Sequence, residues 1–165
     1  MIVLGVDTSL RSTGFGVLKK EGSSLIPLTW GRIPNKQTLP LSECLKHIYT
    51  KIAALIEEFH PDVLSIESVI YGKNANTMLV LGEARGAVIT AAVNANIPIY
   101  EYEPRRMKRA VCGNALAEKE QIQRMVKVLL HLEEEPQNDA ADALGLAITH
   151  LHTMGPLSTD KPIKL

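Results

Sequence analysis

Four acidic side chains stand where acids are costly. Asp7 closes the apolar run Ile2 to Val6, Glu67 closes the run Val63 to Ile66, and Asp139 and Asp142 sit on a single apolar stretch near the C-terminus. A carboxylate taken out of water without a partner costs several kcal/mol, and clustered carboxylates repel one another unless a proton or a cation lies among them. Should the four converge, they form an all-oxygen donor set of the kind that suits magnesium or manganese and presents water to a phosphodiester. A metal-dependent nuclease is therefore the leading expectation.

Each acid also has a plain structural explanation. A strand-end Asp such as Asp7 commonly caps the following turn, here Thr8 to Gly14 with its serines and threonine. Asp139 and Asp142 are one helical turn apart and project from one face, where acids in a first turn complement the helix dipole, with Asn138 as the cap. Asp142 is the hardest to explain away, because its neighbours Ala140, Ala141, Ala143 and Leu144 predict burial. Glu67 precedes the polar loop Tyr71-Gly72-Lys73-Asn74, at the carboxyl edge where open α/β sheets place their sites.

Cations are available to accompany them. Arg105, Arg106, Lys108 and Arg109 form a basic cluster, with Lys73, Arg85 and Lys119 elsewhere. Each reads as a solvated surface charge when taken alone; facing the acids, Lys108 and Lys119 hold phosphate while the arginines track a nucleic-acid backbone. His150 reads as a core or surface histidine rather than a ligand, and Trp30 as packing.

The elements that must position these residues follow from periodicity. Ile2 to Val6, Phe15 to Leu18 and Leu25 to Ile33 read as a three-strand meander, and Leu41 to Phe59 as an amphipathic helix ending before Pro61. Val63 to Glu67 predicts a buried strand, Asn76 to Asn94 an apolar helix, and Ile97 to Tyr100 a short strand. Helices follow over Arg105 to Val111, Glu118 to Leu130 and Ala140 to Leu151. This order predicts an α/β fold: a mixed five-stranded sheet, antiparallel meander plus parallel strands, flanked by helices. Gly82, Gly86 and Thr90 make a stripe of small residues, which suits either packing on the chain's own sheet or a dimer seam.

The chain has 165 residues, 45% of them hydrophobic, enough for one folded domain, expected over 1–154 with a mobile tail over 155–165. Formal charge is zero, so a nucleic-acid enzyme would need a bipolar surface. Cys44 and Cys112 have no metal-ligand spacing and predict two free thiols in a reducing cytoplasm. Asp7 interrupts the opening apolar run, which excludes a signal peptide or a membrane span there.

Taken in order, Leu4-Gly5-Val6-Asp7, Thr13-Gly14-Phe15-Gly16-Val17, Ile66-Glu67-Ser68-Val69, Lys73-Asn74-Ala75, Leu81 to Gly86, Ala117-Glu118-Lys119 and Asn138 to Leu144 make a specific set. The chain resembles the RuvC family of bacterial Holliday junction resolvases, of the ribonuclease H-like superfamily, over nearly its full length. The resemblance implies Asp7, Glu67, Asp139 and Asp142 as catalytic acids binding two magnesium ions, with manganese as a substitute. It implies a homodimer with Gly82 and Gly86 in the interface, paired nicks across a four-way DNA junction, and the branch-migration proteins RuvA and RuvB as partners. Lys108 and Lys119 match positions that handle DNA.

Two stretches depart from the family pattern. Asp7-Thr8-Ser9 stands where Asp-Pro-Gly is common, and Ile70 where many relatives carry an aromatic that stacks at the junction centre, a role Tyr71 can take. Three rivals remain: an idle junction-binding protein of the same fold, another ribonuclease H-like nuclease acting on RNA or hybrids, and a sugar-kinase or actin-like ATPase. The last needs two related lobes, and the chain has room for one.

Overall fold

The computed structural model describes residues 1–69, 74–154 and 163–165. The strands are β1 (Ile2–Asp7), β2 (Ser12–Glu21), β3 (Ser24–Pro34), β4 (Val63–Glu67), β5 (Ile99–Tyr102) and β6 (Ile163–Lys164). The helices are α1 (Leu41–Phe59), α2 (Ala75–Asn94), α3 (Pro104–Cys112), α4 (Lys119–Leu130) and α5 (Asn138–Thr153). The sheet runs β3-β2-β1-β4-β5-β6, antiparallel from β3 to β1, parallel from β1 to β5, and antiparallel again at β6. The sheet is therefore mixed as expected, but has six strands rather than five: Ile163 and Lys164, too short to carry a periodic signal, pair with Glu101 and Tyr100.

The central strand is apolar on both faces because both are covered. Leu4 and Val6 join Ile48, Ile52, Leu64, Ile66 and Val88 in a core under α1 and α2. Val3 joins Leu18, Tyr102, Ile122, Val126, Leu144 and Ile148 in a second core under α3, α4 and α5. Each fully buried Leu or Ile contributes about 1.5–3 kcal/mol relative to exposure. Helix α5 is buried without interruption from Ala143 to Leu151.

Glycine sets how closely α5 approaches the sheet. A Cβ at Gly5 would lie 2.0 Å from the Ala143 carbonyl oxygen, one at Gly14 would lie 1.9 Å from that of Asp139, and one at Gly16 would strike the Leu144 side chain at 2.6 Å. The helix therefore rests on bare backbone of β1 and β2.

Several element ends differ from the sequence reading. Strand β2 begins at Ser12, so Gly14 belongs to the strand and not to the turn, held there by full pairing of Asp7 with Gly14 and of Gly14 with Arg32. Strand β5 starts at Ile99, since Pro98 has no N–H to give to a ladder. Helix α5 has Gln137 at its N-cap with no side-chain cap bond, and Asn138 is already helical. In α2, Asn74 caps by accepting from the Thr77 amide at 3.2 Å. Trp30, expected to pack, is 40% exposed, because its part of β3 lies at the sheet edge, where a neighbouring strand covers only one side.

Candidate active site

Register and glycine contact together bring the four acids to one place. On β1 and β4, Val3 and Val63 face the α5 core, as do the residues an even number of positions further on; Asp7 and Glu67 therefore point toward α5 from the carboxyl ends of the two parallel strands. Helix α5 delivers Asp139 and Asp142 from above, its first turn seated on Gly14, which pairs with Asp7.

Charge repulsion measures the convergence. Burial first, and then the charges of Asp142, Glu67 and Asp139, push the Asp7 carboxyl up to about 8, with Lys119 opposing them. Glu67 is raised by burial and by Asp142, and Asp142 by burial and by Asp139. An Asp held that far above its ordinary range is poised for a cation rather than for a turn cap.

The surrounding residues hold the loop after Asp7 and the first turn of α5. Thr13 Oγ1 donates to the Ser9 carbonyl at 2.5 Å and closes the turn. The Ser12 hydroxyl donates to an oxygen of Asp139 and ties α5 to the start of β2. Ser12 was not singled out from sequence; only its placement at a strand start facing the helix marks it. Among the described residues no three Asp, Glu, His or Cys side chains stand in ready-made ligand geometry, Asp139 being turned to Ser12. The donor set, four carboxylates repelling one another in a partly buried site, nonetheless fits a hard divalent cation and little else.

The basic residues divide into two groups. Lys119, exposed at the start of α4, acts on Asp7 and Asp142, and Lys108 of α3 acts on Glu67 and Asp142, so both lie within electrostatic reach of the acids. Arg105 and Arg109 are exposed on α3. Arg106 lies over the Tyr102 ring, 5.2 Å from its centroid, where a guanidinium is attracted to the π face. Ile70, Tyr71 and Lys73 fall outside the described residues.

Beside Glu67 a cleft of about 180 Å³ is lined by Thr8, Ser68, Val69, Leu81 and Pro104. A larger groove of about 770 Å³ lies elsewhere, between β3 and the segment before α5, lined by Trp30, Arg32 and Glu133 to Glu135.

His150 belongs to the core, as one of its two readings held. Its Nδ1 lies 2.8 Å from the Tyr102 hydroxyl, its Nε2 is buried with no hydrogen-bond partner among the described residues, and burial pushes its pKa down to about 4. Gly82 and Gly86, by contrast, have nothing within 4 Å of an added Cβ, so they do not serve packing on the chain's own sheet.

A mixed sheet with this strand order, carrying carboxylates at the ends of two adjacent parallel strands and on a helix laid across them, defines a nuclease of the ribonuclease H-like class. The comparisons with known proteins narrow it. The family model described as crossover junction endodeoxyribonuclease RuvC matches residues 3–150, and the chain belongs to that family. A relative of that name from Brevibacillus brevis is 44% identical over 165 residues, covering 99% of each chain. One from Vibrio cholerae is 48% identical over 153 residues, covering 92% of this chain and 87% of its own. Among solved structures, T. thermophilus RuvC in complex with Holliday junction substrate superposes with a TM-score of 0.88 at 28% identity, over 99% of this chain and 100% of the other.

Proposed function

We propose that this chain is a metal-dependent endonuclease that resolves four-way DNA junctions by paired symmetric nicks, in recombination and DNA repair. The observation that carries the reading is the placement of Asp7 and Glu67 at the carboxyl ends of β1 and β4 beneath the first turn of α5, which carries Asp139 and Asp142, inside a fold shared with a RuvC solved on its junction.

Asp7, Glu67, Asp139 and Asp142 hold the metal. Two magnesium ions held there, with manganese as a substitute, would supply Lewis-acid charge and a nucleophilic water at neutral pH. Asp7, whose charge is opposed by all three other acids, would gain most from a bound cation. Lys119 and Lys108 neutralise the remaining negative charge and draw in the phosphate, while Arg105, Arg106 and Arg109 hold the DNA backbone together with Lys73. Tyr71, next to Ile70, supplies the stacking surface at the junction centre.

The working unit is a homodimer, which places two sites on one junction. Leu79 and Val93 of α2 are 63% and 57% exposed and share a helix face with Gly82 and Gly86, whose small size lets a second helix approach closely. A branch-migration complex of RuvA and RuvB delivers the substrate in the cytoplasm. Among the described residues no helix is long and apolar enough to cross a membrane.

The test is cleavage of a synthetic four-way junction with magnesium, beside linear duplex and RNA–DNA hybrid. Symmetric, ligatable nicks confined to the junction are expected, and Asp7→Asn is expected to bind the junction without cutting it. Tight binding with no cuts by the native chain in either metal would instead identify an idle junction-binding protein.

A further inference from the structure

Arg85, a basic residue close to the site, is turned into the fold and not toward solvent. It is 7% exposed on the buried side of α2, beneath the sheet face opposite the acids. Its Nη1 donates to the main-chain carbonyl of Glu67, and its Nη2 pairs with the Glu101 carboxylate. Glu101 in turn is registered against Ile66 on β4 and Ile163 on β6. The Glu67 side chain rises on the other face of the sheet, so Arg85 bonds its main-chain carbonyl and acts on its carboxylate through charge alone.

We propose that Arg85 is a positioning residue for Glu67, clamping the end of the catalytic strand to α2 and β5 so that the carboxylate keeps its place among the other acids. This rests on the nuclease reading of the same site. Four features support it. Glu67 is the last residue of β4, and beyond it only the Ser68 amide remains in the ladder, donating to the Tyr102 carbonyl at 2.9 Å. A strand end held by so few bonds frays unless something else secures it. A guanidinium's planar fork secures a carbonyl and a carboxylate together in fixed geometry, which a lysine's single ammonium does less well. A buried ion pair is moreover a poor stability device, often matched by apolar residues of similar size, so stability alone gives little reason for one at this position. Finally, Arg85 directly precedes Gly86, so the clamp links the α2 face proposed to meet a second copy with the strand that carries Glu67.

The experiment uses the full chain in three forms: native, Arg85→Met, and the double variant Arg85→Met/Glu101→Leu, which removes the orphaned charge and keeps the volume. Two readouts are independent of activity: hydrogen exchange at the Ser68 amide, and the rise in melting temperature on adding magnesium. The third is the single-turnover cleavage rate at saturating junction. The double variant is expected to melt near the native temperature without metal, exchange Ser68 faster, gain less from magnesium, and cleave about a hundredfold more slowly, since small misplacements of reacting groups cost rates of that order. Arg85→Lys should recover part of the rate.

A double variant with native exchange, native magnesium response and native cleavage overturns the proposal and leaves the pair a packing feature. Should Arg85→Met fail to fold, the double variant alone decides. Should the native chain not cut junctions at all, the nuclease reading fails, while the exchange and magnesium measurements still decide whether Arg85 positions Glu67.

Discussion

Two sets of glycines in this molecule do opposite things. Gly5, Gly14 and Gly16 lie beneath α5, where an added Cβ would strike helix backbone or the Leu144 side chain, and Gly82 and Gly86 lie on α2, where it would meet nothing. The first set is spent inside the fold: it lowers α5 onto the sheet and so fixes the height of Asp139 and Asp142 over Asp7 and Glu67. The second set is unused within one chain, although glycine in mid-helix costs up to about 1 kcal/mol relative to alanine. This is the face proposed above to meet a second copy of the chain.

The sharpest way to break this comparison is Gly14→Val. The Asp139 backbone has to move, and junction cleavage is expected to fall by about a hundredfold or more, with a loss of about 1–3 kcal/mol in denaturant unfolding from overpacking. Native-like cleavage in that variant would show that the seat of α5 does not set the site.

Gly86→Gln tests the other set. The monomer fold should be kept, with a melting temperature at or above native at low concentration, while sedimentation should shift from dimer toward monomer and cleavage become asymmetric. An unchanged dimer would move the interface away from this stripe.

Asp7→Asn sharpens the account of the acids from the stability side. Asp7 is raised in the fold, so at neutral pH its ionised form opposes folding, and that penalty is relieved as pH falls through about 8 toward the ordinary carboxylate range. Removing the charge should therefore stabilise the metal-free protein at pH 8 by about 1–3 kcal/mol, measured by urea titration, while abolishing the stabilisation by magnesium.

The smallest effect concerns the far end of α5, where the same helix is dry. His150 is depressed, so its neutral form is favoured by folding, and its contribution is present above the ordinary histidine range and is lost as pH falls from about 6.5 to about 4. The raised acids act in the opposite direction, so the effect is read as a difference. Relative to His150→Phe, the native chain should lose about 2 kcal/mol between pH 7 and pH 5, in parallel chemical melts.

The local layer of this structure is legible in the sequence because it depends on neighbours along the chain. The apolar spacing of Leu45, Ile48, Ile52 and Ile56 gives α1, and the runs ending at Asp7 and Glu67 give β1 and β4 with their acids at the strand ends. The burial of Asp142 among alanines already implies a polar counterpart. Where the reading faltered, the deciding contact is remote in sequence. Gly14 has the look of a turn residue until its pairing partners Asp7 and Arg32 are known, and β6 is two residues that only β5 makes into a strand.

The sequence by itself thus determined every element but β6, the positions of the four acids along the chain and the family, since periodicity, strand-end chemistry and ordered motifs are properties of the chain as written. Only the tertiary structure decided that Ser12 holds Asp139, that Arg85 reaches the Glu67 backbone from beneath the sheet, and which glycines are covered. Those facts depend on distances between segments as much as 127 residues apart in the chain, set by how closely a helix can rest on a sheet without a Cβ between them.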